Sequence, residues 1–381
     1  MSFPEEPLNL TSQEGFGYYP GQPGQVLNGG QYQIPENRSA TPKEYEAVKI
    51  LTVNASEMVR ASDYRELKIH EAVNKFNETS GPYTDVKVDL KFALSALLTY
   101  FDEKSHHGSH LCLALSLQSH DLNTFIRSAP SKSLPLHSVK TVIAHAAEGL
   151  SGLHGAGIVH GDAAIKPSNW VFDDSFEPED IDSFLSSDPP VVEREVEVER
   201  IVYPVVRSQP FVWRVWNDDK DIVELQYHVN VKGFGHAQWH KDGLLETQMG
   251  LEKHLQPPEV ILGAGYKEKA DIWAFGCATF ELLTGRPLIM PYTSQEIEPE
   301  QYYLAQMASI TGETFAPQTL QRSPVADKFF DESGKPVHPI SESILTLLTP
   351  TRLRQPQSHR SRFVPRERLK QYRTTLPRPD S

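Results

Sequence analysis

The sequence has few of the features expected of an extracellular or membrane protein. Only two of its 381 residues are cysteine, Cys112 and Cys277, and each lies in an apolar run. Two isolated thiols predict no disulfide framework and favour a reducing compartment, cytoplasmic or nuclear. The N-terminus, MSFPEEPLNL, is acidic and interrupted by proline, unlike a signal peptide. No uncharged apolar run approaches the length needed to span a membrane.

Positive charge is scarce over most of the chain. The net charge is −13, but residues 351–381 carry nine Lys or Arg against two acidic residues, so the first 350 residues carry −20. An acidic body disfavours nucleic-acid binding and favours a basic protein partner. Residues 173–199 hold eleven acidic residues and one Arg, which predicts a solvated insert with an exposed strand through VVEREVEVER. A dock for a basic peptide is the alternative interpretation.

One polar loop combines the residue types that phosphoryl transfer to a hydroxyl requires. Residues 158–172, IVHGDAAIKPSNWVF, predict a strand end, a loop and a second strand. The loop carries His160, Asp162, Lys166 and Asn169. A carboxylate can accept the hydroxyl proton, a lysine can face the moving phosphate and an amide oxygen can hold a metal ion. A polar surface turn before a strand is the alternative interpretation.

Apolar periodicity predicts a mixture of strands and helices along the chain. The helix at 270–289 is apolar on nearly all sides, which predicts burial in a large domain, and Gly285 is expected to cap it. The other predicted elements are strands at 45–53, 109–117 and 222–231, and helices at 55–73 and 138–154.

Six motifs, in the order expected, resemble those of eukaryotic protein kinases. They are AVKIL at 47–51, YREL at 64–67, HGDAAIKPSN at 160–169, GFGHAQW at 233–239, PPEVILGAGY at 257–266 and DIWAFGCATFELLTGRPL at 271–288. The resemblance implies an α+β fold of two lobes. Its expected parts are an irregular arm at 1–30, a small β-rich lobe at 31–117, a larger helical lobe at 118–345 with the acidic insert at about 173–200, and a basic, disordered tail at 346–381.

The resemblance implies roles for the residues that match the motifs. Lys49, paired with Glu66, would anchor ATP. Asp162 would accept the hydroxyl proton, Lys166 would steady the transferring phosphate and Asn169 would hold Mg²⁺.

Six further residues are assigned by the same resemblance. Leu115 would be the gatekeeper of the adenine pocket, and Ser116 and Leu117 would offer backbone groups to adenine. The structural positions are His160 in the catalytic loop, Glu259, which would pair with an arginine such as Arg352 or Arg354, and Asp271, which would brace the catalytic loop.

Finer features resemble the SR-protein kinase family, especially its fungal members. They are GYYPGQPGQVLNGGQYQI at 17–34, SHLCLALSLQSHDLNTFI at 109–126 and ADKFFDESGKPVHPI at 326–340. Membership would imply ATP and Mg²⁺ as cofactors and serines of Arg/Ser-rich proteins as substrates. We expect a monomer.

Three departures from the kinase motifs concern the chemistry itself. Residues 31–80 contain no glycine, so the small lobe is predicted to be truncated at the phosphate-covering loop. Gly233 stands where the motif requires the metal-binding Asp. Ala163 and Ala164 lengthen the catalytic loop by two residues, which would displace Asp162. Little or no catalysis is therefore expected.

Three hypotheses stay open at this point. The chain is an SR-protein-kinase-like Ser/Thr kinase, or a pseudokinase that binds basic partners without catalysis. A third hypothesis is a misassembled gene model of an active kinase. A transcript spanning codons 30 to 50 and 160 to 170 would test the third hypothesis directly.

Overall fold

The computed structural model describes most of the chain, with gaps. The described residues are 6–35, 45–62, 64–79, 94–128, 134–161, 167–173, 176–198, 200–207, 228–240, 243–245, 249, 251–291 and 297–337. Several predicted features lie outside them: Asp162, Lys166, the alanines at 163 and 164, Arg352, Arg354 and the predicted tail at 346–381.

The N-terminal part of the molecule contains two small antiparallel sheets. One is a hairpin of β1 (Val26–Leu27) and β2 (Tyr32–Gln33). The other has the order β3-β5-β4 and consists of β3 (Glu46–Ile50), β4 (Leu97–Ser105) and β5 (Gly108–Ser116). The strands predicted at 45–53 and 109–117 are thus present, and Lys49 lies in the middle of β3, opposite Leu113.

Two helices follow β3, where one helical stretch was predicted at 55–73. They are α1 (Val53–Ala61) and α2 (Arg65–Thr79), separated by a turn in which Tyr64 has a left-handed φ of 57°. A left-handed residue cannot continue a right-handed helix, so the chain changes direction there. The turn lets α2 pack its Leu67 against the sheet residues of a small core: Leu51, Leu97, Leu111 and Leu113.

The remainder of the described chain is richer in helix. Its elements are α3 (Leu122–Ser128), α4 (Leu136–Gly155), β6 (Ile158–Val159), β7 (Trp170–Asp173), α5 (Pro178–Ser187), β8 (Val192–Val198), β9 (Ile201–Val206), β10 (His228–Val231), β11 (Gln238–Trp239), α6 (Pro258–Ile261), α7 (Lys269–Thr284), α8 (Pro299–Thr311) and α9 (Pro317–Arg322). β7 pairs with β10, and β6 pairs with β11. The main core joins α4, β7, β10 and α7.

The two long helices predicted in this part are present. α4 covers the predicted 138–154, and α7 ends at Thr284 with Gly285 in a left-handed conformation, φ 70°, as its C-terminal cap. The predicted burial of α7 on nearly all sides is wrong for one face. Ile272 is 51% exposed and Leu283 is 42% exposed, because no described element packs over that face.

Small antiparallel sheets on one side and a helical body on the other make an α+β fold of two lobes, as predicted. None of the helices in the described part of the chain is long and apolar enough to cross a membrane.

The acidic insert contains more structure than the predicted exposed strand. That strand is present as β8 and pairs antiparallel with β9, but α5 precedes it. The insert also contacts the small lobe. The Tyr45 hydroxyl donates to Asp182 Oδ1 at 2.6 Å, and the Tyr203 hydroxyl lies 2.9 Å from His106 Nδ1. The insert therefore contacts the small lobe through Asp182, while most of β8 is exposed as predicted.

Candidate functional site

A lysine and a glutamate from different elements meet in the cleft between the lobes. Lys49 Nζ on β3 lies 2.7 Å from Glu66 Oε1 in the first turn of α2. The Glu66 side chain is 9% exposed and the Lys49 side chain 46% exposed. The ammonium is thus held on one side and open on the other, which suits an anchor for phosphate. The predicted pair is formed, while its role toward ATP remains a prediction.

Three aromatic rings connect α2, the Gly233–Phe234–Gly235 turn and the catalytic loop. Phe234 is fully buried and makes an edge contact with His70, with centroids 4.9 Å apart. Its other side contacts His160 at 5.5 Å. The predicted structural residue His160 is therefore part of a packed column. His70 was not predicted, although it lies one helical turn after Glu66.

A buried carboxylate, Asp271, holds the backbone at the start of the loop at 160–169. Asp271 in α7 is 1% exposed and accepts from the backbone N–H of His160 at 2.9 Å and of Gly161 at 3.1 Å. His154 Nε2 lies 2.8 Å from the same side chain. Two backbone donors that would otherwise be buried without partners are satisfied by one side chain. Asp271 thus fixes the loop backbone immediately before Asp162.

Asn169 lies beside Gly233, where a metal ligand is expected. A Cβ atom built on Gly233 would be 3.3 Å from Asn169 Oδ1, and Gly233 has φ 91°. Mg²⁺ requires hard oxygen ligands in octahedral geometry, and glycine has no side-chain oxygen. Among the described residues, no three His, Cys, Asp or Glu side chains are grouped to hold a metal ion. The described residues fit a nucleotide phosphate but not a complete Mg²⁺ site.

Lys232, which sequence reasoning did not single out, immediately precedes Gly233. Its N–H donates to the carbonyl of Asn169 at 3.0 Å, and its carbonyl lies 3.2 Å from His160 Nε2. Burial lowers the pKa of the Lys232 ammonium, and the charge of Asp121 opposes that shift. The sequence signal that could have drawn attention to Lys232 is its position directly before Gly233–Phe234–Gly235, where the motif has Asp-Phe-Gly.

The predicted adenine-contacting segment is the end of β5. Leu115 pairs with Ala47 across the sheet. The N–H of Ser116 donates to the carbonyl of Ala96 at 3.1 Å, so this donor is used within the small lobe. The adenine contacts predicted for Ser116 and Leu117 would have to use their remaining backbone groups. These contacts stay predictions.

Glu259 lies in α6, in a partly buried position. Burial raises the pKa of its carboxyl, and the charges of Arg322 and Lys269 oppose that rise. The predicted partners near residue 352 lie outside the described chain. Arg322 of α9, which also donates to the carbonyl of Ala264 at 3.2 Å, is an arginine that sequence reasoning missed.

The buried position of His70 predicts a pH-dependent stability. Burial lowers the pKa of His70 to about 4, with Glu66 opposing and Lys49 adding to the shift. The unfolded histidine titrates near 6.5, so between these values the unfolded chain binds a proton that the folded chain excludes. Stability is therefore lost as pH falls through this window, by roughly 2 kcal/mol at about pH 5.

Urea unfolding at about pH 7 and about pH 5 measures this loss, and His70→Leu is expected to reduce it. His137→Leu, which removes an exposed imidazole from α4, is the matched control. Equal pH dependence in wild type and His70→Leu would contradict the prediction.

Comparison with known proteins adds an independent finding. The family model of the protein kinase domain matches residues 220–361. The serine/threonine-protein kinase SRPK of Physarum polycephalum is 26% identical over 256 residues, which cover 65% of this chain and 58% of that protein. The serine/threonine-protein kinase ppk5 of Schizosaccharomyces pombe is 28% identical over 255 residues, covering 67% of this chain and 23% of that protein.

A third relative, the probable dual specificity protein kinase madd-3 of Caenorhabditis elegans, is 24% identical over 277 residues and is covered to 25%. The chain thus spans little more than half of the Physarum kinase and about a quarter of the other two. Kinase domains in general use ATP and Mg²⁺. The motifs, the two-lobed fold and these matches all support the eukaryotic protein kinase superfamily, and the chain is similar to SRPK- and CLK-like kinases.

Proposed function

We propose that this chain is a nucleotide-binding pseudokinase, a kinase-fold protein with little or no phosphoryl transfer. The observation that carries the proposal is Gly233, which lies beside Asn169 where the motif has an Asp. The Lys49–Glu66 pair can hold phosphate, and Asp271 holds the loop backbone. Without the carboxylate at 233, the metal that neutralises the transferring phosphate lacks a principal ligand.

A second candidate function is phosphoryl transfer from ATP to serine in Arg/Ser-rich proteins. It is favoured by the intact Lys49–Glu66 pair and by the relatives' activity as serine/threonine-protein kinases. In this function Asp162 would accept the serine hydroxyl proton, Lys166 would face the transferring phosphate and Asn169 would contribute to holding Mg²⁺.

The partner class proposed for both functions is a basic, Arg/Ser-rich protein. The first 350 residues carry a net charge of −20, and the glutamates of β8 form a largely exposed row on the insert. Opposite charge speeds the encounter with such a partner and is screened by salt. We also propose the lobe boundaries at 117 and 345, a monomeric state and a cytoplasmic or nuclear location.

Two measurements on the full chain test the proposed function. ATP is expected to raise the thermal unfolding temperature, because a ligand that binds only the folded state stabilises it. Phosphate incorporation into an Arg/Ser-rich peptide is expected to stay at background, and Asp162→Asn should not change it. Incorporation that Asp162→Asn abolishes would overturn the pseudokinase proposal in favour of the second function. An absence of stabilisation by ATP would overturn nucleotide binding.

A further inference from the structure

The ribbon formed by β7 and β10 has two chemically different faces. The face that packs into the main core carries four large side chains: Trp170, Phe172, Val229 and Val231. Side chains alternate along a strand, so the next positions lie on the opposite face. That face carries Val171 and Asn230, and the same alternation places Lys232, one residue beyond β10, on the side opposite the core side chains.

This second face holds two polar groups that make no hydrogen bond with the described residues. Lys232 is half-buried, and its ammonium makes no hydrogen bond or ion pair with any residue that the structure describes, although the charge of Asp121 acts on it. Asn230 is 4% exposed, and its Oδ1 accepts no hydrogen bond there. Removing a cation and an amide oxygen from water without partners is unfavourable. Such a pair is suited to a ligand that has both an anionic group and hydrogen-bond donors.

The backbone position of Lys232 indicates the class of ligand that these two polar groups would bind. Its backbone is bonded to Asn169 and His160, and Gly233 follows it directly. Glu66, the partner of Lys49, also lies near this turn. Its carboxylate oxygens would be 3.9 Å from a Cβ atom built on Gly235. The backbone of Lys232 therefore lies at the turn where a bound nucleotide would carry its phosphates, the turn that lacks the metal-binding carboxylate.

We propose that Lys232 binds the phosphates of a nucleoside polyphosphate and supplies positive charge that a divalent metal supplies in other kinases. This inference rests on the proposed nucleotide binding and adds that the binding is independent of Mg²⁺. Lys49, held by Glu66, provides the second cation. An ammonium is a compact charge that contacts phosphate without the six oxygen ligands that Mg²⁺ demands.

Calorimetric titration of the full chain with ATP and with adenosine, in excess EDTA and in excess Mg²⁺, tests the inference. Wild type is expected to bind ATP with affinities within about threefold in the two conditions. Lys232→Met keeps the length and apolar stem but removes the charge. It is expected to weaken ATP binding in EDTA by about tenfold or more, because a charge-assisted contact is lost. Adenosine has no phosphate, so its binding should be unchanged.

Two further variants separate a phosphate contact from other effects. Lys232→Arg keeps the charge and should retain most of the ATP affinity. Lys140→Ala removes one positive charge from an exposed site on α4 and should bind ATP as wild type does. Equal weakening by Lys140→Ala, or equal loss of ATP and adenosine in Lys232→Met, would overturn the inference.

The Mg²⁺ dependence of ATP binding by the wild type distinguishes the role proposed for Lys232 from the nucleotide binding on which it rests. ATP binding that requires Mg²⁺ would overturn the role of Lys232 while leaving nucleotide binding intact. Failure to bind ATP and adenosine in either condition would instead overturn the proposed function on which the inference rests.

Discussion

Replacing Gly233 by aspartate is expected to make ATP binding depend on Mg²⁺, with an affinity at least about tenfold higher in Mg²⁺ than in EDTA. The Cβ of residue 233 would lie 3.3 Å from Asn169 Oδ1, so the new carboxylate and the existing amide oxygen could bind one cation together. In EDTA the carboxylate would repel the phosphates, and the variant should bind ATP more weakly than wild type. Titration calorimetry of wild type and Gly233→Asp with ATP, in Mg²⁺ and in EDTA, measures this change in metal dependence.

The backbone at this position limits the choice of variant. Gly233 has φ 91°, a region that costs most residues about 1–2 kcal/mol but that Asp and Asn tolerate better than others. Gly233→Asn is therefore the matched control, since it has nearly the same shape and strain but no charge. Mg²⁺ dependence equal in the Asp and Asn variants would show that no metal site forms at residue 233.

Removing the carboxylate of Asp271 is expected to produce a large loss of stability, about 3–5 kcal/mol for Asp271→Ala. This side chain is 1% exposed and accepts hydrogen bonds from the backbone of His160 and Gly161. Alanine would leave both donors, and the neighbouring His154, buried without an acceptor. The start of the catalytic loop would lose its attachment to α7. Urea unfolding measures the change in the free energy of unfolding.

Two variants control for general effects of substitution in α7. Asp271→Asn retains one acceptor oxygen and should lose clearly less stability than the alanine variant. Lys269→Ala lies in the same first turn at an exposed position and should change stability by less than about 0.5 kcal/mol. A loss of about 1 kcal/mol or less for Asp271→Ala would contradict the bracing role.

Much of the framework could be predicted because its signals are local in sequence. The apolar periodicity of α4 and α7 spans several turns, and Gly285 marks the end of α7 through a backbone conformation that glycine adopts at little cost. Lys49 and Glu66 could be paired because each lies in a short motif of a known superfamily. The missing carboxylate could likewise be predicted from one residue, Gly233, in a three-residue motif.

The limits of sequence reasoning appear where side chains from distant segments meet. Nothing near Asp182 in the sequence signals its contact with Tyr45, because a charged insert has the same composition whether it is solvated or docked. The exposed face of α7 was predicted to be buried, since an apolar helix carries no record of which face lacks a neighbour. Arg322 near Glu259 was missed for the same reason.

The sequence alone therefore indicated the kinase-like motifs, the long helices and the residue types available to the site. Those follow from local periodicity and from motifs whose spacing reflects backbone geometry. Only the tertiary structure decided that His70, Phe234 and His160 pack as one column and that Lys232, directly after β10, is half-buried and makes no ion pair with any described residue. Burial and pairing depend on which distant surfaces meet, and that is decided by the packing of the whole chain.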